Sequence, residues 1–89
     1  MQIINAKNNI ADNRELGKAV GEAEEWAKES KGQYAGYALT YINAIPRAIN
    51  YYGEKGLKVQ LNYVLANLAG WRGDTARESK NIIQEYINS

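Results

Sequence analysis

From position 14 onward, apolar residues recur at intervals of three and four, the spacing that puts them on one face of an α-helix. Leu16, Ala19, Val20, Ala23 and Ala27 share such a face, with Trp26 on its edge and Glu22, Glu24, Glu25, Lys28 and Glu29 around the rest. The pattern predicts a first helix over Arg14–Ser30, capped at its start by Asp12 or Asn13 and closed by Gly32 as a C′ residue. Glu24 and Lys28 are placed for an i,i+4 ion pair. Gly17 and Gly21 lie one turn apart. Each costs a helix about 1 kcal/mol relative to alanine, so the pair predicts close approach of a neighbouring backbone.

The second periodic stretch, Gln33 to Tyr52, reads as the spine of the domain. Tyr34, Tyr37, Ala38, Tyr41, Ile45, Ala48, Ile49 and Tyr52 trace its apolar stripe. Pro46 cannot donate to the Ile42 carbonyl, so the helix is expected to kink there or to split into two near Ala44–Pro46. Gly53-Glu-Lys-Gly56 then reads as a tight turn.

The third helix is expected over Leu57–Leu68, with Leu57, Leu61, Val64, Leu65 and Leu68 on one face and Val59, Tyr63 and Ala66 widening it to a second. A helix apolar almost all round is expected at the centre of a bundle. Two glycines around Trp71 end it. Thr75-Ala-Arg-Glu78 has the form of a capping box for a fourth helix starting at Asp74 or Thr75, whose Ala76, Ser79, Ile82, Ile83, Tyr86 and Ile87 face inward. Residues 1–11, with Ile3, Ile4 and Ile10 among several asparagines, are expected to form an irregular arm. No stretch alternates as a strand would. The expectation is one all-α domain over residues 1–89, a compact bundle of about four helices with the second kinked or split at Pro46.

Composition narrows the chemistry. The 89 residues include neither Cys nor His, which removes thiol nucleophiles, disulfides, imidazole acid–base catalysis and zinc sites of the usual kind. Six of the ten carboxylates fall between positions 12 and 29, on a face that reads as solvated, and none is set into an apolar face where burial would tune its pKa. Glu22, Glu25 and Glu29 share a helix face, but no second segment supplies further ligands for a cation. Phosphate-cradling glycine motifs are absent; Gly70-Trp-Arg-Gly-Asp74 sits at a helix start, where Asp74 itself is expected to occupy the anion position and Trp71 to anchor the helix–helix turn. The chain is therefore read as a non-enzyme without cofactor or metal. Its near-apolar run 59–69 is interrupted by Gln60, Asn62 and Asn67 and is too short to cross a bilayer, and no signal peptide is visible, so a cytoplasmic location is expected.

Two surfaces remain as candidates. Five of the seven tyrosines (Tyr34, Tyr37, Tyr41, Tyr51, Tyr52) lie in one segment, more than one narrow face of so small a domain can bury, although in a chain without Phe tyrosine must also serve the core. Tyr51 and Tyr52 point about 100° apart on a helix, so at least one is expected outside. Tyr, Trp and Arg are the residues enriched at interface hot spots, which points to a protein-binding surface of Tyr34, Tyr37, Arg47, Tyr51, Tyr52, Trp71 and Arg72, engaged by a partner or by a second copy. The alternative is nucleic acid. Basic residues outnumber acidic ones by four between positions 31 and 80, where Arg47, Lys55, Lys58, Arg72, Arg77 and Lys80 are interleaved with Tyr51, Tyr52 and Trp71; the expected contacts are Arg47, Lys58, Arg72, Arg77 and Lys80. Against it, the last helix also carries Glu78 and Glu85, unlike a recognition helix. A small ligand such as a nucleotide held between subunits is a third reading.

From Val59, the sequence VQLNYVLANLAGWRGDTARESKNIIQEY resembles the closing part of small uncharacterised helical proteins encoded by phages and prophages. The likeness covers residues 59–86 and rests on the apolar helix, the Trp71-Arg72-Gly73 turn and the Ala76–Glu78 helix start. It implies a short accessory protein in a bacterial cytoplasm, of a kind that acts by binding host machinery as inhibitor or adaptor. It implies no activity and no functional residue.

Overall fold

A computed structural model describes residues 13–89; the irregular arm expected over 1–11 and the alternative cap Asp12 lie outside them. The described chain is all-α. Its helices are α1 (Arg14–Glu29), α2 (Gln33–Asn43), α3 (Ile45–Ala66) and α4 (Asp74–Asn88). Each packs on two neighbours, α1 on α2 and α4, and α3 on α2 and α4, so α1 and α3 stand diagonally across the bundle.

The amphipathic pattern of α1 folds as its spacing requires. Leu16, Ala19, Val20, Ala23 and Ala27 are all buried, and the Leu16 N–H donates to the Asn13 Oδ1 cap at 3.1 Å. The helix ends at Ser30, whose N–H bonds to the Trp26 carbonyl. Gly32 is not its left-handed C′ residue, because its φ is −72° and it instead precedes α2 as the N-cap. Glu24 and Lys28 pair at 3.5 Å. The close approach expected of the Gly17/Gly21 pair fails at Gly21, where an added Cβ would meet nothing within 4 Å.

The spine divides at Ala44, which caps both α2 and α3, and Pro46 sits in the first turn of α3, where its missing N–H costs no helical bond. The non-helical residue inside α3 is Gly53, not Pro46, with φ 67° and ψ −147°. Only this one residue leaves the helix, so the expected four-residue turn is a single-residue break. The chain then folds back closely enough that a Cβ on Gly56 would collide with the Ala48 carbonyl oxygen and lie 2.8 Å from the Tyr52 Cβ. The glycine required for backbone contact is Gly56, in a helix and buried.

Leu57, Leu61, Val64 and Leu68 fill the core as expected, with Leu16, Ile45 and Ile83 among the other fully buried large side chains. The second apolar face of α3 is not covered. Val59 and Tyr63 are 47% and 51% exposed, and Ala66 is exposed as well, so this helix has a solvent-facing apolar side rather than a central position. The capping box at Thr75–Glu78 does not form either. Gly73, at φ 114°, is the N-cap of α4 without a side-chain bond, and Asp74 opens the helix paired with Arg77 at 3.2 Å.

The two glycine positions give opposite expectations. Gly21→Ala fills open space in a helix interior and should stabilise by roughly 0.5–1 kcal/mol. Gly56→Ala drives a methyl into backbone and should destabilise by about 1–3 kcal/mol or more. Urea unfolding of both variants beside the parent checks the pair; equal and small effects would mean that the Gly56 contact is not present in solution.

Candidate interaction surface

Every buried side-chain nitrogen and oxygen among the described residues has a hydrogen-bond partner, and no group of three or more Asp and Glu residues is placed to hold a metal ion there. The buried side chains are apolar apart from Ser79. What the fold leaves exposed is aromatic. Tyr34 is 64% exposed and Tyr37 46%, while Tyr51 and Tyr52 reach 73% and 74%. In the expected spine stripe, Ala38, Ile45 and Ile49 are core and these rings are not.

The geometry explains the division. Residues 45–52 form the short segment of α3 ahead of the Gly53 break, and Ile45 and Ile49 supply its inner face. Adjacent Tyr51 and Tyr52 therefore both fall outside, their ring centroids 6.3 Å apart at a 54° tilt. The segment folded back against them brings Lys55, Gly56, Val59 and Gln60 alongside. Between the two lies a groove of about 600 Å³ lined by Ala44, Arg47, Ala48, Tyr51, Tyr52, Lys55, Gly56, Val59 and Gln60. Its small residues leave the space and its rings and cations frame it. The Gln60 amide donates to the Tyr41 carbonyl at 2.9 Å, holding this part of α3 to the end of α2. Further along, Tyr63 stacks on Tyr41 at 5.4 Å. Tyr34 and Tyr37 form a separate edge-to-face pair at the start of α2, with Gln33 donating to the Tyr37 hydroxyl.

Trp71 does not belong to this surface. It is 7% exposed and stacks on Trp26 at 5.9 Å, tying the loop before α4 to α1. Its position in a glycine-flanked turn signals an anchor as readily as a contact, and packing decides for the anchor. Arg72 is exposed beside it and lines a different depression of about 350 Å³ with the edge of Trp71, Gly73, Arg77, Lys80 and Asn81.

The expected nucleic-acid set is likewise divided. Arg72, Arg77 and Lys80 come together, but Arg77 is paired with Asp74 and the Lys80 ammonium donates to the Trp71 carbonyl at 2.6 Å. Burial, and then the charge of Arg72, hold the Lys80 pKa below its ordinary value. Lys58 is turned to the end of α4, where it donates to the Ser89 carbonyl and lies 5.6 Å from the centre of the Tyr86 ring. Arg47 borders the tyrosine groove. With Trp71 buried, the Arg72 depression lacks an exposed ring for base stacking. The residues that sequence reasoning missed are Val59 and Tyr63, hidden by the central-helix expectation; Lys55 was read only among the interleaved cations, because the turn assigned to 53–56 hid its place on the tyrosine face.

Tyr86 closes the opposite side of α3. Its hydroxyl donates to Glu54 Oε2 at 2.9 Å, and its pKa is pushed up to about 12 by burial first and then by the bond to and charge of Glu54. Ionisation is therefore harder in the folded chain than in the unfolded one. The stability this contributes is complete below pH 10 and is lost as pH rises through about 12. A stability advantage of the parent over Tyr86→Phe should accordingly shrink across that window in urea titrations, and ultraviolet titration should show an ionisation near pH 12 that Tyr86→Phe removes.

Substitutions separate anchor from surface. Trp71→Ala should cost about 3–5 kcal/mol, the usual result of emptying a buried aromatic site. Tyr51→Ala and Tyr52→Ala should each stay within about 0.5 kcal/mol of the parent. Thermal unfolding followed by circular dichroism reads both; a collapse of the tyrosine variants would place those rings in the core.

No protein-family model matches this chain, and no curated protein or solved structure matches it either.

Proposed function

We propose that this chain is a non-enzymatic interaction protein, a small accessory protein of phage type that acts by binding another protein and by associating with itself. The observation that carries the reading is the exposed aromatic face of α3: Tyr51 and Tyr52 stand almost free beside a groove that also takes in Arg47, Lys55 and Val59. Exposed tyrosines next to arginine are what protein interfaces use, because a rigid ring supplies much contact area for little lost rotamer freedom. An enzyme would need a shifted acid, base or nucleophile beside that groove, and the carboxylate nearest in sequence, Glu54, is bonded to Tyr86. No helix among the described residues is long and apolar enough to cross a membrane, which leaves the face available to a protein in water. Inhibition of a host factor or adaptation between two host proteins, in a bacterial cytoplasm, suits a surface of this size on so short a chain.

The Arg72, Arg77 and Lys80 depression at the start of α4 supports a second reading as a nucleic-acid contact. That reading requires oligonucleotide binding that weakens steeply with salt and with Arg72→Ala.

Light scattering over a range of concentrations, on the parent and on the Tyr51→Ala/Tyr52→Ala double variant, tests the main reading. The parent should exceed the 10.0 kDa of one chain as concentration rises, and the double variant should stay closer to it with helical circular dichroism unchanged. A parent fixed at the mass of one chain removes self-association. Loss of helix in the double variant removes the surface itself.

A further inference from the structure

The exposed apolar side of α3 does not stop at the groove. Val59, which lines the groove, is followed by Tyr63 and Ala66 at spacings of four and three, all exposed and on the side by which one helix packs along another. Seven steps of 1.5 Å carry this seam about 10 Å along the helix from the groove, farther than a small ligand in the groove alone would cover. Val59 and Tyr63 remain about half exposed along it.

Charge selects the occupant. Arg47 and Lys55 line the groove, no carboxylate does, and neither cation is in an ion pair among the described residues. Glu54, next to Lys55 in the chain, is bonded to the Tyr86 hydroxyl on α4. A second copy laid on this face about a two-fold axis would set like cations near one another, because the same patch meets itself, so self-association there is weak and gives way to a partner of opposite charge. The outward side of α1 is acidic, with Glu22, Glu25 and Glu29, but its large apolar side chain, Trp26, is partly buried and stacked on Trp71, so it cannot fill the groove.

We infer that this face of α3 receives an acidic amphipathic helix from a different protein. Apolar side chains at i and i+4 of that helix enter between Tyr51, Tyr52 and Val59 and continue along Tyr63, while its carboxylates meet Arg47 and Lys55. The inference rests on the reading of this face as an interaction surface and adds the chemistry of the partner.

The test uses the full chain and fluorescein-labelled peptides of about 16 residues. Leucines three and four apart form one face, flanked by glutamates in the first peptide and by lysines in the second. A third peptide has the composition of the first in scrambled order. Fluorescence anisotropy should show the acidic amphipathic peptide binding and the scrambled one not. Arg47→Glu with Lys55→Glu should weaken the acidic peptide roughly tenfold or more and admit the lysine peptide, since like charges across an interface reject a partner. Tyr63→Ser, which lies outside the groove but on the seam, should weaken binding several-fold, with circular dichroism confirming that each variant is folded.

Binding unmoved by Tyr63→Ser would confine the occupant to the groove and overturn the helix. Equal binding of acidic and basic amphipathic peptides, lost in Tyr51→Ala/Tyr52→Ala, would keep the surface and overturn the acidic partner. Failure of every amphipathic peptide to bind up to about 1 mM would overturn the surface reading as well. A dimer in light scattering that saturating acidic peptide does not dissociate would assign the face to a second copy and overturn the inference.

Discussion

Helix α3 is bent at Gly53, and the bend is held by contact of Gly56 with the backbone at Ala48 and with Tyr52. These conditions depend on each other. A residue at φ 67° re-aims the chain, and the re-aimed segment can settle only where a neighbour lacks a Cβ. Once it settles, Leu57, Leu61 and Val64 face the core and pack with Ile45 and Ile49 from the other side of the bend. The groove between the segments follows from the same contact, since a larger side chain at position 56 would both fill it and push its walls apart.

The bend also decides which aromatics are spent on stability. Trp26 and Trp71 stack where α1 meets the loop before α4, and that pair closes the bundle at one end. Tyr41 and Tyr63 stack at the edge of α2 and α3, partly covered. Tyr86, hydrogen-bonded to Glu54, ties α4 to the start of the second segment of α3. Tyr51 and Tyr52 take no such part, and Tyr34 and Tyr37 touch chiefly each other. A small domain has little stability to spare, and four largely exposed rings add little to it. Their place on the surface is what the proposed interaction face rests on.

Charge is divided along the same lines. The carboxylates of α1 lie on a solvated outer face, whereas the cations of the second half fall into separate settings. Lys58 and Lys80 are engaged with carbonyls of their own chain, Arg77 with Asp74, and Arg47 and Lys55 are left along the groove. Proximity in sequence suggested one basic stripe. Helix direction broke it up.

The sequence by itself determined the helices and most of the core. Apolar spacing in α1 named all of its buried residues, and Leu57, Leu61, Val64 and Leu68 were as plain in the second segment of α3, because helical periodicity is a local property that any partner must satisfy. Tyr34, Tyr37, Arg47, Tyr51 and Tyr52 were legible as contact candidates from residue type and crowding, but their exposure was not, because Tyr34, Tyr37 and Tyr52 also fit the apolar stripe of the spine. Only the tertiary structure decided that Trp71 is an anchor, that Gly73 rather than Thr75 begins α4, and that Lys55, Val59 and Tyr63 join the tyrosine face. The physical reason is common to these. Whether a ring or an apolar face is covered depends on segments distant in the chain, and the backbone contact that fixes Gly56 exists only after the chain has folded back on itself.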